Sequence, residues 1–489
     1  MNQRFLILLL CLAAALRVSI YSAAFPFFSN IDEDLHFDLI TQYSHAQVPQ
    51  RFDRLKDDTL NWIIPYASPE FLSRPEQFPG ATFPAPLWKR SWSEIEPEIA
   101  VTRAAWSREI NFQSSQPPLY YALASEWWWI GKQVGLTGIQ SLYWIRFLNA
   151  LIVAMIVWLG YVTASMIAPA RADLRIGVPL LLAFLPQNVF YAMNNDVLSP
   201  VCFGVLFLCV LQWLRTNAPS FSCGAFTGLA IAATCLTKMS NVPAVAFAVV
   251  IIIARLVVII RTAPRVGLIA LAAIVFCAAI PIGGWMLWTK SHFGDLSGSA
   301  GKIALLGWTQ KPFRDWWRHP IFTPRGLWIF WSDLIVSFWR GEVSWHGLAL
   351  RWRVADGFYA ISTLVFVAAA IVGLRKRVGL TAFQRQAIGS AILIFVASIA
   401  FLGLLSIQFD FGNCINPSRA HPYFTSGRLL TGALIPFAIV YVYGVAWVCG
   451  RFNARLGIVV LGGVAMFMFA SEIWVNRVVF LSEHNWFHI

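Results

Sequence analysis

The residues best suited to acid–base chemistry stand together near the start of the chain, in Asn30-Ile31-Asp32-Glu33-Asp34-Leu35-His36-Phe37-Asp38. Three consecutive acids repel one another, and here they directly follow an apolar run. In a helix, Asp32 and His36 are four residues apart and Glu33 and His36 three apart, so they share one face. That spacing can orient a general base, or hold a divalent cation with Glu33 and His36 as ligands. A solvated helix start, where acids are favourable, gives the same pattern.

Four further segments carry polar groups in otherwise apolar surroundings. Ser114-Ser115-Gln116-Pro117-Pro118-Leu119-Tyr120-Tyr121 has two prolines at a helix start, where a missing N–H costs little. Arg146 follows, as a phosphate contact or a snorkelling anchor. Pro186-Gln187-Asn188 and Asn194-Asn195-Asp196 suit an acceptor or a cation; capping a helix from Val197 explains them too. Thr237-Lys238 ends an apolar helix, again as a phosphate contact or a snorkelling lysine. The stretch 408–428 holds Asp410, Asn413, Arg419, His421, Tyr423 and Arg428. Arg428 opens a helix, where N-termini suit anions, and its fork-shaped donor matches phosphate oxygens.

The elements that must position these residues are membrane spans. The chain has 489 residues, 58% hydrophobic and 12% charged, with a mean hydropathy of +0.63. Ordinary soluble proteins carry about 25% charged residues. A soluble enzyme, a nucleic-acid binder and a disordered chain are excluded. About eleven spans (10–13) are expected, near 5–25, 144–168, 176–193, 197–214, 222–237, 241–260, 266–288, 357–374, 386–407, 428–448 and 456–475. The first is read as a retained span, since its apolar stretch exceeds a signal-peptide core. Segment 117–135, with Glu126, Lys132 and three tryptophans, is read as lying flat in the headgroup layer. Arg171/Arg175, Arg215, Arg261/Arg265, Arg375-Lys376-Arg377/Arg385 and Arg451/Arg455 then share Arg4's side, satisfying the positive-inside rule.

Two large connections, 26–143 and 289–356, fall on the opposite, outer face. The chain divides into a catalytic module 1–288, the Trp-rich segment 289–356 and C-terminal helices 357–489. Every acid–base and phosphate candidate named above lies on the outer side. No Gly-rich loop with Lys-Ser/Thr, no HExxH and no paired CxxC occurs, which removes support for ATP-driven transport and for zinc sites. Arg17 is the clearest ionisable residue within a span, too few for a typical ion-coupled transporter.

In this order, the segments resemble the GT-C glycosyltransferase superfamily. Its members are membrane enzymes that take sugars from polyprenyl-phosphate carriers, and they include the protein O-mannosyltransferases and the lipid A aminoarabinose transferase. A less characterised bacterial branch is closest. Asp32-Glu33-Asp34-Leu35-His36-Phe37, Gln116–Tyr121, Asn194–Asp196, Thr237-Lys238, Ser337-Phe338-Trp339 and Gly427-Arg428 match its motifs over about residues 1–450. Asp34 departs from the usual proline, and Ser426 and Leu429 from the usual Gln and Tyr. Arg340, Glu342 and His346 add charge to a stretch that usually has less.

The resemblance implies an all-α polytopic GT-C fold. It implies sugar transfer, with inversion, from a polyprenyl-phosphate donor to a glycan, lipid or protein on the periplasmic face of a bacterial inner membrane. Asp32 would be the base, and Glu33 would position the acceptor or a divalent cation. His36, Gln116, Asn194, Asn195 and Asp196 would assist, while Arg146, Lys238 and Arg428 would hold the donor phosphate. Besides the bilayer, donor and acceptor are the expected partners, and nucleic acid is not. A flippase for lipid-linked sugars and a non-catalytic polyprenyl-binding subunit are the alternatives.

Overall fold

The computed structural model describes residues 3–29, 31–376, 379–414, 416–453 and 456–489. Asn30, Arg377 and Arg455, used above, lie outside the described residues. The chain is almost wholly helical. From the N-terminus run α1 (Gln3–Ala24), α2 (Glu33–Ser44), α3 (Asp57–Tyr66), α4 (Trp92–Trp106), α5 (Leu119–Gln133) and α6 (Gly138–Ile167). The middle holds α7 (Ala172–Ala183), α8 (Ser199–Arg215), α9 (Phe221–Thr237), α10 (Val242–Thr262), α11 (Pro264–Phe293), α12 (Ser299–Leu305), α13 (Phe313–Trp316) and α14 (Pro324–Arg340). The C-terminal part holds α15 (Arg353–Lys376), α16 (Ala382–Gln408), α17 (Leu434–Cys449) and α18 (Leu456–Asn476). Apart from the isolated bridges Phe27–Ala67 and Arg54–Ile110, strand pairing among the described residues consists of two short antiparallel pairs: β1 (Thr309–Gln310) with β4 (Phe409–Asp410), and β2 (Ser344–Trp345) with β3 (Leu348–Ala349).

Among the described residues, nine helical runs are long and apolar enough to cross a bilayer. They contain α1, α6, α8, α10, α11, α15, α16, α17 and α18. Of the two remaining expected spans, 222–237 is the 17-residue α9. The other, 176–193, is corrected: α7 has 12 residues and stops at Ala183. Beyond it the backbone is extended or in single 3-10 turns, with every residue from Leu185 to Pro200 buried. The cause is local. Pro186 disfavours helix in the residue before it, and polar side chains bond the nearby backbone instead. The Gln187 side chain accepts from the Val189 N–H at 3.3 Å, and that of Asn194 from the Asp196 N–H at 2.9 Å. Irregular backbone at membrane depth is tolerated only inside protein, with its groups satisfied. Asn149 donates to the carbonyls of Phe190 and Ala192 (3.1 and 2.8 Å), and Gln187 to those of Ser337 and Phe338 (2.9 and 2.8 Å).

Helix α5 has 15 residues, about 22 Å at 1.5 Å per residue, too short for a core of about 30 Å. It packs on α2 and α6. Trp127 and Trp144 stack with centroids 4.4 Å apart, and each indole donates to the other's carbonyl (2.7 and 2.8 Å).

Chain direction separates two ends of the bundle. α1 and α9 finish, and α8, α10 and α17 begin, at the end that carries residues 32, 196, 238 and 428. The guanidinium groups of Arg171 and Arg215 lie over Tyr443 and Phe383 at 5.8 and 4.2 Å, at the other end. Arg215 also donates to the carbonyl of Met166.

Candidate active site

The sharpest correction concerns Glu33 and Arg146. Both side chains are fully buried and form a two-pronged pair, Nε to Oε1 and an NH2 nitrogen to Oε2, each 2.7 Å. Arg146 spends its other donors on the carbonyls of Ser22, Phe25 and Pro26. Glu33 accepts from the backbone N–H groups of Phe28, Ser29 and Met193 at 3.0 to 3.1 Å. All five guanidinium donors and both carboxylate oxygens are thus engaged. Arg146 has no donor left for a phosphate, and Glu33 has no free oxygen for an acceptor. The pair is a latch that holds the turn after α1 onto α6 and the irregular segment.

The neighbouring acid faces a different environment. Asp32 precedes α2 with φ +63° and ψ 27°, a left-handed conformation uncommon for a residue with a side chain. Arg428 donates to its carboxylate at 2.7 Å and to the Ile31 carbonyl at 3.0 Å. The Gln113 amide donates to the same carboxylate at 3.2 Å. On the other side, Arg428 lies 3.9 Å from Asp196, which is paired with Lys238 at 2.6 Å. Gln116 and Lys302 both donate to Gln113 Oε1, at 2.9 and 3.0 Å, and Asn195 donates to Gln116 at 3.2 Å. Asn194 holds the Ile31 carbonyl at 3.2 Å. Asp32, Gln116, Asn194, Asn195, Asp196, Lys238 and Arg428 are therefore brought together from distant parts of the chain.

Electrostatics divides the acids. Burial pushes the Asp32 carboxyl up, but the charge and hydrogen bond of Arg428, with His36 and Lys302, together outweigh it and hold the group below its usual value. Asp34 is pushed up to about 7 by burial and by the charge on Asp32. Asp32 is ionised at neutral pH, whereas Asp34 is partly protonated there. His36 is fully buried, and burial followed by the charge on Lys238 takes its pKa well below the usual value. Its Nδ1 lies 2.7 Å from the Tyr121 hydroxyl, while Nε2 has no hydrogen-bond partner.

The proposed cation ligands do not fit. Glu33 turns its oxygens into the Arg146 latch, away from His36. No group of three or more His, Cys, Asp or Glu side chains that could hold a metal occurs among the described residues. Gln113 and Lys302 were not anticipated. Gln113 lies three residues before Gln116, inside a segment already singled out. Lys302 sits in Gly298-Ser299-Ala300-Gly301-Lys302, where no spacing marks it.

Comparison with known proteins places this geometry in context. No curated protein matches the chain. Among solved structures, it resembles the oligosaccharyltransferase AglB of Archaeoglobus fulgidus in complex with an inhibitory peptide and a dolichol-phosphate, at 12% identity and a TM-score of 0.44, over 98% of this chain and 56% of that one. The Archaeoglobus fulgidus oligosaccharyltransferase with Zn and sulfate gives 12% and 0.44, over 95% and 52%. The chain thus spans little more than half the length of these proteins. A family model matches residues 16–410, more than half of the chain, and on that match the protein belongs to the family described as predicted membrane protein (DUF2142).

Proposed function

We propose that this pocket transfers a sugar, with inversion, from a polyprenyl-phosphate-linked donor to an acceptor hydroxyl at the outer face of a bacterial inner membrane. The observation that carries the reading is the 2.7 Å pair between Asp32 and Arg428, with the Asp196–Lys238 pair beside it. A base and phosphate-binding cations meet although 396 residues separate Asp32 from Arg428. The motif order shared with GT-C glycosyltransferases supports the same reading.

In this mechanism Asp32 takes the proton of the acceptor hydroxyl. The oxygen attacks the anomeric carbon, and the bond from that carbon to the phosphate oxygen breaks. The electron pair stays on the phosphate, where Arg428 and Lys238 stabilise it by preorganised charge. Arriving phosphate competes with Asp32 for the guanidinium, which frees the carboxylate and raises its basicity. Gln116, Asn194 and Asn195 supply neutral partners that position the acceptor and the Asp32 turn.

The test is transfer of labelled sugar from a polyprenyl-phosphate donor by purified protein in liposomes. Asp32→Asn is expected to lower turnover by about 10²- to 10⁴-fold with donor binding retained. Arg428→Ala is expected to weaken donor binding. Wild-type turnover in Asp32→Asn would remove the base. Movement of label across sealed vesicles without glycosidic product would replace transferase by flippase.

A further inference from the structure

Two ion pairs meet at this pocket, Asp32 with Arg428 and Asp196 with Lys238. Glu342, which accepts from the hydroxyls of Ser337 and Ser426, adds its charge near Arg428. A further cation, Lys302, is delivered by α12 from the second connecting segment. Among the described residues it forms no ion pair; its ammonium donates to the neutral Gln113 Oε1 at 3.0 Å and lies 5.0 Å from the Phe112 ring centre. A cation held this way has no ion-pair partner of its own, since Asp32, the strongest opposite charge acting on it, is engaged by Arg428.

The position of α12 is fixed by close packing. A Cβ at Gly301 would collide with the Phe52 ring, and one at Gly298 would lie 2.5 Å from the Ser115 Cβ. Gly298 also has φ +66°, which suits glycine. Helix α12 therefore sits on the first connecting segment, with its lysine beside Gln113. Just downstream, β1 pairs with β4, tying the same segment to the stretch that leads to Arg428.

We infer that Lys302 binds the phosphate of the lipid-linked donor directly, as the pocket cation that has no ion-pair partner among the described residues. The inference rests on the proposed lipid-phosphate reading of the pocket and adds a ligand to it. Without Lys302, both remaining cations, Arg428 and Lys238, are already engaged by carboxylates.

A pH dependence follows. Burial, then the charges of Lys238 and Arg428, lower the Lys302 pKa to about 8 against the opposing pull of Asp32 and Asp196. His36, also facing the cluster, is neutral there. Lys302 loses its proton, and its hold on phosphate, as pH rises through about 8.

The experiment measures binding of a polyprenyl monophosphate, and of the matching polyprenol, to the full chain in nanodiscs between pH 7 and 9. Lys302→Ala is expected to weaken phosphate binding at pH 7 by roughly 10- to 100-fold, the value of one charged hydrogen bond, and to leave polyprenol binding unchanged. Lys302→Arg, charged throughout this range, is expected to restore binding and to remove the alkaline loss seen in wild type relative to this variant. Equal phosphate affinity in wild type and Lys302→Ala overturns the inference and leaves the transferase reading standing. Failure of wild type to bind the monophosphate at all overturns both.

Discussion

Adjacent acids in this chain sit in opposite environments, one latched to buried Arg146 and one at a part-exposed pair with Arg428, and substitution separates them. Glu33→Gln leaves the fully buried Arg146 without its counter-charge. Breaking a buried pair from one side costs about 3–5 kcal/mol, so a large loss of monodisperse protein and of thermal midpoint in detergent is expected. Asp32→Asn, at a part-exposed pair, is expected to keep the midpoint near wild type while turnover collapses. An unchanged midpoint in Glu33→Gln would show that the latch is dispensable. The sequence made the acid cluster visible but could not assign its members. Asp32, Glu33 and Asp34 are equivalent until α2 begins at Glu33, which turns one carboxylate into the protein and another toward Arg428. Arg146 was misread for the same reason, because an arginine near a span end has the same sequence signature as anchor, ligand or latch.

At the scale of elements, α9 depends on close approach to α11. Gly224 and Gly228 are four residues apart, and a Cβ at either would strike the backbone oxygen of Ala270 or Ile274, at 2.5 and 2.6 Å. Small residues at this spacing let membrane helices approach closely. Gly228→Leu is expected to cost about 1–3 kcal/mol by overpacking. It should also lower donor affinity, because Lys238 follows the displaced end of α9; unchanged affinity would uncouple α9 from the pocket. Helix α2 gives a pH test. Buried His36 has a folded-state pKa well below 6.5, so the unfolded chain binds the extra proton first and stability falls with acid. Measured against His36→Gln, the wild-type thermal midpoint is expected to keep a constant offset above about pH 7 and to fall as pH drops below about 6.5. Hydrophobic run length made the spans legible. Where it failed, at 184–198, apolar composition continued while Pro186, Gln187, Asn194 and Asp196 dictated irregular backbone.

At the scale of the molecule, charge is sorted along the bundle axis. Arg171, Arg175, Arg215, Arg261, Arg265 and Arg375 lie at helix ends remote from the pocket, as chain direction requires. On the positive-inside rule, the face proposed for the pocket is the outer one. In a background without the native cysteines, Ser299→Cys is expected to react with an impermeant maleimide added outside, and Ser220→Cys only after permeabilisation. Both positions are exposed. The reverse pattern would put the pocket in the cytosol. The proposed polarity rests on loop charges read from the sequence. The meeting of Lys302 with Gln113 was not legible there, since 189 residues separate them and no local pattern couples the two connecting segments.

The 396-residue interval between Asp32 and Arg428 also sets an order of assembly. Glu33 finds Arg146 once α6 is in place, so the acidic half of the pocket can be secured early in biogenesis. Its principal counter-charge emerges only with α17, after most helices have already been inserted. Until then the nascent chain holds Asp32 at the membrane rim without its guanidinium, and a protein truncated before Arg428 would be left at that stage.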